Sequence, residues 1–99
     1  MNNEIATTIL NQIGGRQFIA MTGSKNFVNT GNGLLMKLSR NASGSQYLKI
    51  TLNGGDVYDM EFYSVRGIDI KMKNQIGGVY ADQLYRIFEQ VTGLYTRLY

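Results

Sequence analysis

A chain of 99 residues, 43% of them hydrophobic and 17% charged, is long enough for one core, too short for two, and globular in composition rather than disordered. It has no cysteine and no histidine and a formal net charge of +3. That rules out a disulfide framework, a Ser-His-Asp triad, a Cys-His dyad, a Cys/His zinc site and a redox dithiol. Neither a Gly-x-x-x-x-Gly-Lys-[Ser/Thr] nor a Gly-x-Gly-x-x-Gly phosphate loop occurs. No cofactor or metal site is expected, and no run is long enough to cross a bilayer. Met1-Asn2-Asn3-Glu4 lacks the basic and apolar stretches of a secretory signal, and a reducing cytoplasm fits the absence of cysteine.

Asn3 can cap a first helix, with Glu4 favouring the positive end of its dipole. Ile5, Ile9, Leu10 and Ile13 recur at helical spacing until Gly14-Gly15 stops the run. Residues 18–21, Phe-Ile-Ala-Met, are apolar on both parities, which predicts a strand covered on both sides. Gly23-Ser24-Lys25-Asn26 breaks it, and Phe27-Val28 continues it past a bulge. A turn rich in Gly and Asn follows at 29–33. Leu34, Met36 and Leu38 then point inward, with Leu35, Lys37 and Ser39 outward, before a polar loop at 40–45.

Residues 47–63 hold the strongest period-two alternation and predict a hairpin. Leu48, Ile50 and Leu52 face the core from its first arm, and Tyr58, Met60 and Phe62 from its second. A two-residue Gly54-Gly55 loop would set Ile50 against Asp59 and bury carboxylates. A three-residue loop, Asn53-Gly54-Gly55 with a left-handed glycine, pairs Ile50 with Tyr58, Leu48 with Met60 and, outside, Lys49 with Asp59. After a turn at 64–67, Ile68, Ile70 and Met72 alternate with Asp69, Lys71 and Lys73 as another half-buried strand. A loop is expected at 74–78. Leu84, Ile87, Phe88 and Val91, with Tyr80 one turn earlier on the same stripe, mark a last helix over about residues 80–92, with Gly93 at the left-handed C-terminal position. The tail 94–99 alternates and is apolar enough to dock. The expected fold is one α+β domain over 1–99, a two-layer α-β-β-β-β-α arrangement. Its four-stranded antiparallel meander carries both helices on one face.

Three groups of residues could carry function. Asp56, Asp59 and Glu61, with Asp69-Ile70-Lys71 one strand later, give the skeleton of a metal-dependent nuclease, although alternation alone generates acid-x-lysine pairs. A nucleic-acid platform would use Lys37, Lys49, Lys71 and Lys73, but Asp59, Glu61 and Asp69 on the same expected face nearly balance them. The element order is similar to that of double-stranded RNA-binding domains, yet the last helix starts Val79-Tyr80-Ala81-Asp82-Gln83, without a basic cluster. A protein-binding surface would use the outward Tyr47 and Tyr63 with Lys49, Lys71 and Lys73, joined by Tyr95 and Tyr99 of the tail. Tyrosines among a few cations have the composition of interface hot spots.

Three segments together, Phe18-Ile-Ala-Met-Thr-Gly-Ser-Lys-Asn-Phe27, Lys49-Ile-Thr-Leu-Asn53 with Asp56-Val-Tyr-Asp-Met-Glu-Phe62, and Gly78-Val-Tyr-Ala-Asp-Gln-Leu84 with Phe88 and Thr92-Gly-Leu94, carry a resemblance. They resemble short uncharacterised proteins carried by bacterial phages and mobile elements. The resemblance brings no activity and no site residue; it implies a setting, such as interference with host defence of the anti-CRISPR kind. The expectation is therefore a non-enzymatic binding protein acting through a host or phage protein partner in the bacterial cytoplasm. A homodimer would use the same surface. A nucleic-acid-binding accessory protein is the alternative, with weak direct binding, and a metal-dependent nuclease comes third.

Overall fold

Among the described residues, alternating apolar residues on five segments build one sheet, and three short amphipathic helices cover one side of it. The computed structural model describes residues 4–96. In chain order they form α1 (Glu4–Ile13), α2 (Gly15–Thr22), β1 (Lys25–Asn29), β2 (Gly33–Lys37), β3 (Tyr47–Leu52), β4 (Tyr58–Arg66) and β5 (Asp69–Val79). A 3-10 turn (Ala81–Gln83) then leads into α3 (Leu84–Thr92). The strands pair antiparallel in the order β1-β2-β3-β4-β5, a meander of five strands rather than four. Among the described residues no helix is long and apolar enough to cross a membrane.

Ile9 and Ile13 of α1, Phe18 of α2 and Leu84 and Phe88 of α3 share one buried cluster with Leu34, Met36, Leu48, Ile50, Met60 and Phe62 of the sheet. The sheet members are all of one strand parity, so the helices lie together on one face and leave the other bare. Polar ties seat the layer: the Tyr58 hydroxyl donates to Gln12 Oε1 at 2.7 Å. Gly93 closes α3 at φ 75°, as its position predicts. Past it, Glu89 Oε2 accepts from both the Thr96 N–H at 2.8 Å and the Thr96 hydroxyl at 3.0 Å. The tail is thus held down as far as Thr96. Asn3 and the tail beyond Thr96 lie outside the described residues.

Residues 18–21 are helical, not a strand. An apolar run this short has no decisive period, and tertiary packing settles it. Phe18 and Thr22, four residues apart on one helical face, are both buried, and the Thr22 hydroxyl donates back to the Phe18 carbonyl at 2.7 Å. The Phe18 ring meets Phe88 edge-on, centroids 4.9 Å apart. A second helix can follow α1 at once because Gly14 takes φ 142°, where a Cβ would also come within 2.9 Å of the Phe18 Cβ. Phe27 and Val28 then belong to a strand of their own, with a bulge between Lys25 and Val28.

The central hairpin keeps its expected faces but not its expected register. Ile50 lies opposite Met60, Leu48 opposite Phe62 and Lys49 opposite Glu61. The loop does have three residues, but they are Gly54-Gly55-Asp56, closed by the Asn53 N–H bonding to the Val57 carbonyl. Asp56, at φ 59°, takes the left-handed position expected of a glycine. Sliding the loop by one residue shifts every pair by two, which preserves parity, so burial is indifferent between the two registers. Turn chemistry decides: Asn53 Oδ1 accepts from the Gly55 N–H at 3.0 Å, which makes Asn53 the start of the turn rather than part of its loop.

The last strand differs most. β4 runs on to Arg66, and a two-residue Gly67-Ile68 turn with Gly67 at φ 61° leads into an eleven-residue β5. Residues 74–78 are strand, not loop, and Ile76 and Val79 supply the inward apolar positions. Ile68, Ile70 and Met72 are exposed instead of half-buried. The last helix begins as the 3-10 turn, and Tyr80 is 61% exposed rather than part of its apolar stripe.

Candidate functional site

Directly opposed residues in a sheet share a face, so the register lays out the bare side row by row. One row runs Val28, Leu35, Lys49, Glu61, Gln75 across all five strands. The next runs Lys25, Lys37, Tyr47, Tyr63, Met72, and beyond it Val65 faces Ile70. Seven of these twelve side chains are apolar or tyrosine, on a face that none of the described helices covers. Leu35, Tyr47, Lys49, Tyr63, Val65 and Ile70 together line a shallow groove of about 410 Å³.

Two of the expected contact residues, Tyr47 and Tyr63, stand directly opposite each other at the centre of this groove, and Lys49 borders it. Burial pushes the Tyr63 hydroxyl above the usual tyrosine value, and the charge of Glu61, two residues along the same strand, adds to the effect. A side-chain hydrogen bond to Glu61 acts in the same direction, so the phenol stays neutral throughout the physiological range.

Lys71 and Lys73 do not share this face. Lys71 stands opposite Ser64, on the helix side of the β4–β5 arm, and Lys73 is the extra residue of a bulge where the pairing steps from Phe62–Asn74 to Tyr63–Met72. With Gly44, Gln46, Ser64, Arg66 and Asp69 they line a separate polar cleft of about 420 Å³. The parity of β5 is thus the reverse of the expected one: the arm runs past the end of β3, where none of the described helices supplies a core to bury Ile70 and Met72. Tyr95 is 72% exposed beyond α3 and does not line the groove, and Tyr99 lies outside the described residues.

The carboxylates do not converge. Asp59 faces Thr51 and accepts from Asn53 Nδ2 at 3.4 Å, and Glu61 faces Gln75. Asp69 faces Arg66 at the far end of the arm, six residues along β5 from Gln75, a run of about 20 Å. Among the described residues no three acidic side chains are grouped to hold a metal ion.

Val65, Ile70 and Met72 were not among the expected contact residues. Arg66-Gly67-Ile68-Asp69 carried the signal: read as a two-residue hairpin loop with glycine in its first position, it pairs Val65 with Ile70 and Tyr63 with Met72 directly. Comparisons of this chain with protein-family models, with curated proteins and with solved structures each return no match.

Proposed function

We propose that this protein is a non-enzymatic binding module that engages a protein partner through the outer face of its sheet. The observation that carries the reading is the groove of about 410 Å³ centred on Tyr47 and Tyr63, apolar in most of its lining and left open by the helices. Tyrosines supply large contact area at low entropic cost, and each hydroxyl keeps a polar handle at the rim. Lys25, Lys37 and Lys49 stand on the same face as Asp59 and Glu61, a net of one positive charge, so long-range attraction contributes little. Five strands at about 4.8 Å spacing and about 17 Å length, with the arm added, offer on the order of 500 Å². That is below the roughly 800 Å² per partner of standard interfaces, which favours a transient contact. The phage and mobile-element resemblance points to a host or phage protein in the bacterial cytoplasm as the partner. The distance and opposite facing of Glu61 and Asp69 weigh against the nuclease reading.

The test is affinity capture with the wild-type chain and a Tyr63→Asp, Val65→Asp variant as baits, with and without nuclease treatment. Specific partners should survive nuclease and salt of about 0.5 M, and should be lost from the variant. Partners that vanish on nuclease treatment, or that bind both baits equally, would refute the reading. Light scattering on the purified chain identifies the case in which the partner is a second copy.

A further inference from the structure

We infer that the polar cleft on the helix side of the β4–β5 arm is a binding site for a phosphate group. It does not depend on the protein-contact reading, because the arm separates the cleft from the tyrosine groove. Three cations, Arg66, Lys71 and Lys73, converge on it against one carboxylate, Asp69, for a local charge of +2 in a chain whose formal net charge is +3. Asp69 lies directly across the hairpin end from Arg66 and offsets that one cation, leaving the two lysines further along β5 without a counter-charge in the lining.

The neutral lining supplies donors as well. The Gln46 Oε1 accepts the Val65 N–H, which fixes the side-chain amide and leaves its NH₂ group to donate. The Ser64 hydroxyl sits opposite Lys71 on the same side of the arm. Hydroxyl, amide and ammonium donors around one space suit a ligand with several acceptor oxygens and more than one negative charge, which describes phosphate better than carboxylate. At about 420 Å³ the cleft holds a phosphate or pyrophosphate and part of whatever bears it. All four charged residues are exposed, so binding would be weak, salt-sensitive and made without a fold change.

The test is a ¹H–¹⁵N NMR titration of the intact chain at low salt, with inorganic phosphate, pyrophosphate and a thymidine octanucleotide as separate probes. The site requires saturable shifts at the amides of Ser64, Arg66, Lys71 and Lys73 with at least one probe, and little change at Leu35 or Tyr47. Oligonucleotide binding at least tenfold tighter than pyrophosphate, with a log–log salt slope of about −1.5 to −2, would identify a nucleic-acid backbone as the source. Equal affinities would identify a small phosphate ligand, and either result supports the site. A Lys71→Ala, Lys73→Ala variant should bind at least tenfold more weakly, Lys71→Arg, Lys73→Arg should retain binding, and Asp69→Asn should tighten it several-fold. No shifts with any probe, shifts scattered over the surface, or unchanged affinity in the alanine variant with its spectrum still dispersed would overturn the assignment.

Discussion

Replacing Phe18 and Phe88 by leucine, singly and together, tests the packing that turns residues 18–21 into a helix. Both side chains are fully buried, and their rings meet edge-on at 4.9 Å with 69° between planes. Truncating either to alanine would cost about 3–5 kcal/mol. That is most of the stability at the low end for a chain of this size, about 5–15 kcal/mol. Leucine keeps the site filled and should cost about 1–2 kcal/mol per position. The ring–ring contact is lost on the first substitution and cannot be lost again on the second. The double variant should therefore be less destabilised than the sum, by about 0.5–1.5 kcal/mol. Urea denaturation read by circular dichroism, with all four proteins fitted to a common slope, gives the cycle directly. Additivity to within about 0.3 kcal/mol would show that the rings do not touch, and would reopen the reading of residues 18–21 as a strand.

Other outcomes follow from single features. Gly55→Ala should be neutral or slightly stabilising, because Gly55 is not in a left-handed conformation and its Cβ would have room, whereas the register with Gly55 as the left-handed residue requires a loss of about 1 kcal/mol or more. Gly33→Ala should cost about 1–3 kcal/mol, since a Cβ there would overlap the Ile50 carbonyl oxygen across the β2–β3 ladder; an unchanged denaturation midpoint contradicts that pairing. Tyr58→Phe removes the bond to Gln12 and should cost about 0.5–1.5 kcal/mol by the same assay. The Tyr58 hydroxyl is also pushed above the usual tyrosine value of about 10, by burial first and then by the charge of Asp56. The unfolded chain therefore ionises before the folded one. Stability is intact below about pH 10 and falls as pH rises past it through the folded value. Tyr58→Phe should flatten that fall, and an equally steep decline in the variant would assign it elsewhere.

Alternation and helical spacing by themselves determined which side of most segments faces the core. Leu34, Met36, Leu48, Ile50, Met60 and Phe62 are buried on one face, and Leu84 and Phe88 complete the core from the last helix, because a period of 2 or 3.6 is a property of local sequence. The α+β class and the antiparallel meander follow from those segments and the short turns between them. Tyr47 and Tyr63 were legible as outward for the same reason.

What local pattern left open, distant contacts decided. Residues 18–21 carry no period, and the Phe88 ring and the turn at Gly14 made them helical. Two hairpin registers of equal parity bury the same side chains, and the Asn53 side chain chose between them. The faces of β5 depended on how far β4 extends and where its bulge falls, which no single strand records. That choice sent Ile70 and Met72 to the tyrosine face and Lys71 to the far side of the arm. The sequence could offer tyrosines and lysines as one surface; only the pairing of β4 with β5 parted them into an apolar groove and a cationic cleft.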